Sequence, residues 1–177
     1  MQVICISGKA QHGKDTTAGI VKNLLEYMDH KVLIMHYADL LKYICKTYFG
    51  WDGNKDDKGR TLLQYVGTDV VRAKDPEYWA KFVLNFLKLF KDEWEYVLIP
   101  DCRFPNEIMT FMGELPVVHW RVTRPNFKSP LSEEQQNHPS EIALDDFPAN
   151  ELIVNDGSLD DLIIKLSTLV QDYLDNT

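Results

Sequence analysis

The apolar run Val3–Ser7 passes directly into Gly8-Lys-Ala-Gln-His-Gly13-Lys14-Asp15-Thr16, which leads into a helical pattern with Ile20, Val21, Leu24 and Leu25 on one face. No other feature constrains the fold as tightly. A buried strand that turns through glycines into an amphipathic helix is the opening unit of an α/β domain. Such a loop aims backbone N–H groups into one concavity at a helix amino end, where the helix dipole favours anions. The G-x-x-x-x-G-K spacing adds a lysine, Lys14, that can reach the β and γ phosphates of a nucleotide. Gly8, Ala10, Gln11, His12, Gly13, Lys14, Asp15 and Thr16 are therefore expected around bound ATP.

The loop departs from the commonest pattern at one position. The Ser or Thr that normally follows the lysine as a Mg²⁺ ligand is Asp15 here, and the hydroxyl comes one residue later, at Thr16. This G-K-x-T form suits small-molecule kinases of the nucleotide type better than switch GTPases or motor ATPases. Asp15 and Thr16 are the candidate metal contacts in this part of the chain, Asp15 through a water or not at all.

Short apolar runs and helical patterns alternate along the remaining sequence. Strands are expected at Lys31–His36, Tyr96–Ile99 and Pro116–Val122, with a weaker one at Glu151–Val154. Helices are expected near Asp39–Phe49, Thr61–Val71 and Glu77–Phe90, and from Ser158 to about Asp175, where Ser158 can act as N-cap. The polar run Gly50–Arg60 reads as an exposed loop. No repeat or long linker divides the chain, so a single domain is expected. Continuous apolar strands separated by helices imply an α/β, doubly wound fold with a parallel sheet covered on both faces.

Charge narrows the partners. The chain carries 27 acidic against 19 basic side chains, for a net charge of −8, and has five arginines. Tight, sequence-independent nucleic-acid binding relies on basic stripes that release counterions, so this composition argues against it. Cys5, Cys45 and Cys102 form no CxxC pair and read as reduced thiols. With no basic leader and no apolar run approaching ~20 residues, a cytoplasmic location and no membrane partner are expected.

Asp101 follows Tyr96-Val-Leu-Ile-Pro, which puts a carboxylate at the carboxyl edge of a central strand, where ligands bind in doubly wound sheets. A Walker-B-type acid would sit there, and function is the favoured reading for Asp101 and Arg103, with a pair between the two as the plain alternative. Asn106 and Glu107 follow at the mouth of a helix that Pro105 is suited to begin. The arginines are Arg60, Arg72, Arg103, Arg121 and Arg124. Planar cations suit an acceptor phosphate and transition-state charge. Arg72 and Arg103 are the candidates for that role, whereas Arg121 reads as structural and Arg60 equally well as solvated loop charge. Asn54-Lys55-Asp56-Asp57 imitates a guanine-specificity motif, but it lies in a charged loop rather than at the end of a late apolar strand.

Taken together, Gly8-x4-Gly13-Lys14-Asp15-Thr16, Tyr37-Ala38-Asp39-Leu-Leu-Lys42 and Leu63-Gln64-x-x-Gly67-Thr68-Asp69-x-x-Arg72 with Trp79 resemble the phage-type deoxynucleoside monophosphate kinases. Asp101-Cys-Arg103-Phe104-Pro105-Asn106-Glu107 and His138-Pro139-Ser140-Glu141 are similar to that family's later motifs. The resemblance runs from residue 3 to about residue 170. It implies a three-layer P-loop kinase fold with a five-stranded parallel core (1–38, 93–124 and 148–177), a substrate-binding helical region at about 39–90 and a lid at about 125–138. It further implies Asp39, Lys42, Gln64, Arg72, Trp79, Arg103, Asn106, Glu107, His138 and Glu141 as substrate contacts. Trp79 and Lys42 also have plain readings, as core and as solvated surface. His138, held extended by Pro139, would anchor the lid or bind phosphate. Arg124, Asn155 and Gly157 would lie near the adenine of ATP.

The activity implied is transfer of the γ-phosphoryl group of Mg-ATP to a dNMP. Lys14, Arg103, Arg72 and Asp101 would form its catalytic set, Asp101 organising Mg²⁺ or its waters. Two alternatives are a kinase acting on a hydroxyl of a modified base in DNA, and a regulatory module that binds nucleotide without turnover. A homodimer is compatible with either.

Overall fold

The structure, a computed structural model, describes residues 1–54 and 56–175; Lys55, in the guanine-motif imitation, lies outside the described residues. Five strands form one parallel sheet in the order β2-β3-β1-β4-β5. They are β1 (Gln2–Ser7), β2 (Val32–Ile34), β3 (Tyr96–Ile99), β4 (Val117–Thr123) and β5 (Glu151–Val154). All five are the strands expected. β2 is shorter than Lys31–His36, because it is an edge strand that pairs with β3 alone, over Val32 to Ile34.

β1 is the centre of the sheet. Ile4 lies opposite Leu98 of β3 and Val118 of β4. Alternate residues feed two cores: Val3 and Cys5 face one side with Val97 and Ile99, while Ile4 and Ile6 face the other with Leu98 and Trp120. Burial on both faces is why these strands read as unbroken apolar runs. Helices α1 (Lys14–Tyr27) and α8 (Leu159–Asp175) close the second face through Ala18, Val21, Leu25, Leu162, Leu166 and Val170. Burying each of the larger of these side chains contributes about 1.5–3 kcal/mol. The first face is covered by α4 (Tyr78–Leu89), α5 (Pro105–Met109) and part of α2 (Ala38–Phe49).

α8 begins as expected: the Ser158 hydroxyl accepts the Asp161 N–H at 3.2 Å. The segment after α2 departs from expectation. The Gly50–Arg60 run is only partly an exposed loop, because Trp51 is buried against Cys45 and Val66 and its indole N–H donates to the Asn54 carbonyl at 2.8 Å. Nor does a single α-helix span Thr61–Val71. Helix α3 (Asp57–Gln64) starts earlier, because the Asp56 carboxylate caps the Gly59 N–H at 2.8 Å, and it continues as a π-helix over Tyr65–Arg72. A π-helix of this length is rare, and such widenings concentrate at functional sites. Two short helices complete the chain, α6 (Glu133–Gln136) and α7 (Pro139–Ile142).

Candidate active site

The carboxyl ends of β1, β3 and β4 converge on one region. The loop after β1 takes backbone angles that favour glycine, with φ 143° at Gly8 and 99° at Gly13. A Cβ on Gly8 would lie 2.3 Å from the Val122 carbonyl oxygen, so only glycine lets the loop pass that close to β4. Lys14 is buried and folded back, its Nζ donating to the Gly8 and Lys9 carbonyls at 2.7 and 2.9 Å. Burial, and then the Arg103 charge, bring its pKa down to about 8. Of the other loop residues, Asp15 and Thr16 are exposed, and the Asp15 carboxylate lies 3.1 Å from His36 Nε2.

Asp101 stands at the end of β3 as expected, with a role the sequence did not suggest. Its two carboxylate oxygens accept the N–H groups of Tyr37 and Ala38, each at 3.0 Å, and so hold the start of α2. Burial raises its pKa, against the pull of those two N–H bonds. It does not pair with Arg103. Among the described residues no three His, Cys, Asp or Glu side chains are grouped to hold a metal ion. Carboxylate and hydroxyl oxygens from Asp101, Asp15 and Thr16 are hard donors, which suit a cation that keeps much of its water and takes its remaining ligands from phosphate.

Beside the loop opens a cleft of about 620 Å³, bounded by α2, α3, the π-helix, the β3–α5 turn and the α6–α7 region. Its lining includes the candidates Lys42, Gln64, Arg72, Trp79, Asp101, Arg103, Glu107, His138 and Glu141. Arg72 pairs with Glu107, which is buried, and stacks over the Phe104 ring with its Cζ 4.7 Å from the centroid. Burial raises the Glu107 pKa, opposed by Arg72 and by the Arg103 N–H. Arg103 pairs with Glu141 and donates to the Ser140 carbonyl at 3.2 Å. Both candidate phosphate-binding arginines thus already carry carboxylate partners.

Several candidates take other positions. Asn106 is outside the cleft and donates to the Pro76 carbonyl at 2.9 Å. Asp39 lies at the rim, bonded to Lys42 Nζ at 3.2 Å and to the His36 N–H at 2.9 Å. Trp79 is 3% exposed and its indole N–H donates to the Gly67 carbonyl at 3.1 Å, so it offers the cleft an apolar wall rather than a free stacking face. His138 caps α7, its Nδ1 accepting the Ser140 N–H at 3.2 Å. Arg121 is structural as expected, donating to the carbonyls of Leu144, Asp145 and Phe147.

A second hollow, about 400 Å³, is lined by Arg124, Phe127, Asn155 and Gly157. The Arg124 guanidinium lies 4.8 Å from the Phe127 centroid, and Asn155 Nδ2 donates to the His12 carbonyl at 3.0 Å, which ties this hollow to the phosphate loop. Burial, and then Lys14, lower the His12 pKa. Sequence reading missed Thr68, Phe104, Gln135 and Ser140 in the larger cleft, and left Arg60 undecided; all five line it. Thr68, Phe104 and Ser140 lie inside the family motifs, which was the available signal. Gln135 lies inside the expected lid at 125–138, which was its only signal.

A parallel sheet in this order, with a glycine loop joining its central strand to a helix, defines a P-loop kinase fold. Solved structures agree: the APS kinase of Mycobacterium tuberculosis with AMPPNP and APS superposes with TM-score 0.53 and 12% identity over 96% of this chain and 97% of that one. A sugar kinase from Janibacter sp. gives 0.51 and 16% over 97% and 95%. The chain belongs to the deoxynucleotide monophosphate kinase family, whose sequence model matches residues 51–166. Deoxynucleotide monophosphate kinases of Enterobacteria phage T4 and Escherichia phage RB69 are 34% and 33% identical over 116 residues, 63% of this chain. That match covers 45% and 44% of those two proteins, so the chain spans about half the length of these relatives. A protein of Acanthamoeba polyphaga mimivirus is 26% identical over 97% of both chains.

Proposed function

We propose that this protein transfers the γ-phosphoryl group of ATP to a deoxynucleoside monophosphate, giving a dNDP and ADP. The observation that carries this reading is the placement of Arg72 and Arg103 in one cleft, whose Arg103 also lines the hollow formed by Gly8, Lys9 and His12 of the phosphate loop. Family membership and the names of the phage relatives support the acceptor class; the AMPPNP-bound neighbour supports ATP as donor.

Lys14 and the loop amides would hold the β and γ phosphates of ATP, and Arg72 and Arg103 the acceptor phosphate. The acceptor's second pKa, about 6, leaves its oxygen anionic at neutral pH, so no side chain need act as general base. That oxygen forms the new bond to phosphorus as the β–γ bridge breaks, and the electrons of the broken bond leave on ADP. What this chain supplies is alignment and charge. Thr16 and Asp15, with Asp101 through water, would hold Mg²⁺, which when bound neutralises charge on the phosphates. The adenine would lie in the hollow of Arg124, Phe127 and Asn155. Residues 1–38, 93–124 and 148–177 would act as the core, 39–90 as the acceptor arm, and 125–138 as the lid that excludes water.

The test is a panel of dNMPs and NMPs assayed with ATP and Mg²⁺ for ADP release. Turnover on at least one dNMP, above any hydrolysis without acceptor, is the expected result. No turnover on any dNMP would sink the reading.

A further inference from the structure

The Glu141 carboxylate sits inside the phosphate loop. Its Oε2 accepts the Ala10 N–H at 2.8 Å and its Oε1 pairs with the Arg103 guanidinium. The side chain is 8% exposed. Burial alone would raise its pKa, but Arg103, the Ala10 N–H and the Lys14 charge hold it below the usual carboxylate range. An anion among a loop amide, the loop lysine and an arginine has the surroundings of a phosphoryl group. Two further bonds tie the same stretch of chain to the site. Lys9 Nζ reaches Asp145 Oδ2 at 3.1 Å, and Arg103 reaches the Ser140 carbonyl at 3.2 Å. Glu141 belongs to α7, directly after the 125–138 segment.

Building on the kinase reading, we propose that Glu141 is an internal stand-in for phosphate, which occupies the loop in the absence of nucleotide and is displaced when a polyphosphate binds. Two consequences follow from the contacts. The apparent affinity for polyphosphate is lowered by the fraction of molecules in which Glu141 is seated. Displacement also strips Arg103 of its carboxylate partner, so the acceptor cleft gains a guanidinium whose charge is no longer paired only after the donor has bound, and α7 loses its bond to the loop amide of Ala10 in the same step. Nucleotide binding thereby prepares the acceptor site.

Inorganic tripolyphosphate, which has no base or sugar, is the probe. Calorimetric titration of the wild type and of Glu141→Gln is expected to show tighter binding by the variant, by about tenfold if Glu141 is seated in nine of ten molecules. Trypsin cleavage at the exposed Lys128 should be accelerated by tripolyphosphate in the wild type and already fast in the variant without it. Equal or weaker tripolyphosphate binding by Glu141→Gln overturns the proposal. Should that variant fail to fold, Glu141→Asp, too short to span both partners, answers the same question with the same two outcomes. Wild-type turnover on dNMPs separates the two readings. An inactive wild type with a tightened variant leaves the stand-in role and removes the kinase; an active wild type with an unchanged variant does the reverse.

Discussion

Lys14 illustrates how one residue's chemistry depends on its surroundings. Its ammonium is buried on the Gly8 and Lys9 carbonyls, and burial, followed by the charge of Arg103, brings its pKa down to about 8. Bound phosphates favour the charged form, so the pKa rises in the complex. The sign is therefore fixed: kcat/KM for ATP should fall as pH rises through about 8, while kcat holds to higher pH, as initial-rate profiles would show. Lys14→Ala should lower kcat/KM for ATP by a factor of about 10²–10³, the usual consequence of losing a preorganised charge at the transferring group. Arg72 has a structural duty as well. Removing it leaves Glu107 buried with only the N–H groups of Arg103 and Phe104, and Arg72→Ala should cost about 3–5 kcal/mol in urea unfolding besides raising KM for the acceptor.

At the scale of elements, residues 39–90, the proposed acceptor arm, were the least legible part of the sequence. Gly50–Arg60 looks solvated by composition, yet Trp51 finds Cys45 and Val66, which α2 and the π-helix bring to it from both sides in the chain. Its charged neighbours hid that anchor. Gly59 shows how tightly the turn is closed: an added Cβ would meet the Asn54 carbonyl oxygen at 2.0 Å and Trp51 Nε1 at 2.6 Å. Gly59→Val should therefore loosen the arm selectively, raising KM for the dNMP several-fold while KM for ATP stays within about twofold, since the phosphate loop lies on a separate element. Equal changes in both constants would show that the arm and the loop are not mechanically separate. The strands were far easier to read, because burial on both faces leaves an unbroken apolar signature that polar neighbours do not mask.

Across the whole molecule, His119 joins parts far apart in the chain. On β4, its Nε2 lies 2.6 Å from the Ser7 hydroxyl at the entrance to the phosphate loop, and its Nδ1 lies 2.7 Å from the Pro148 carbonyl before β5. A carbonyl only accepts, so Nδ1 carries a proton, and in the neutral ring Nε2 accepts from Ser7. Burial, countered by the Pro148 bond, puts its pKa below the ordinary 6.5. The unfolded chain thus binds a proton that the native state resists. Stability from this group is full above pH 6.5 and is lost as pH falls from there towards the folded pKa, where the loss levels off. Thermal unfolding between pH 5 and 7.5 should show this slope, about 1.4 kcal/mol for each unit between the two pKa values, and His119→Gln should flatten it. An unchanged slope in the variant would assign the acid sensitivity elsewhere.

The sheet, the phosphate loop and the chain's family were all readable without coordinates, because each is written in local signals: apolar runs, fixed glycine spacing and ordered motifs. The sequence also singled out most of the cleft's polar residues. Which carboxylate meets which arginine was decided only by the tertiary structure. Asp101 and Arg103 are near neighbours in sequence and do not pair; Arg103 instead meets Glu141, and Arg72 meets Glu107. Charge pairing depends on the direction and burial of side chains carried by different elements, and spacing along the chain holds no record of either.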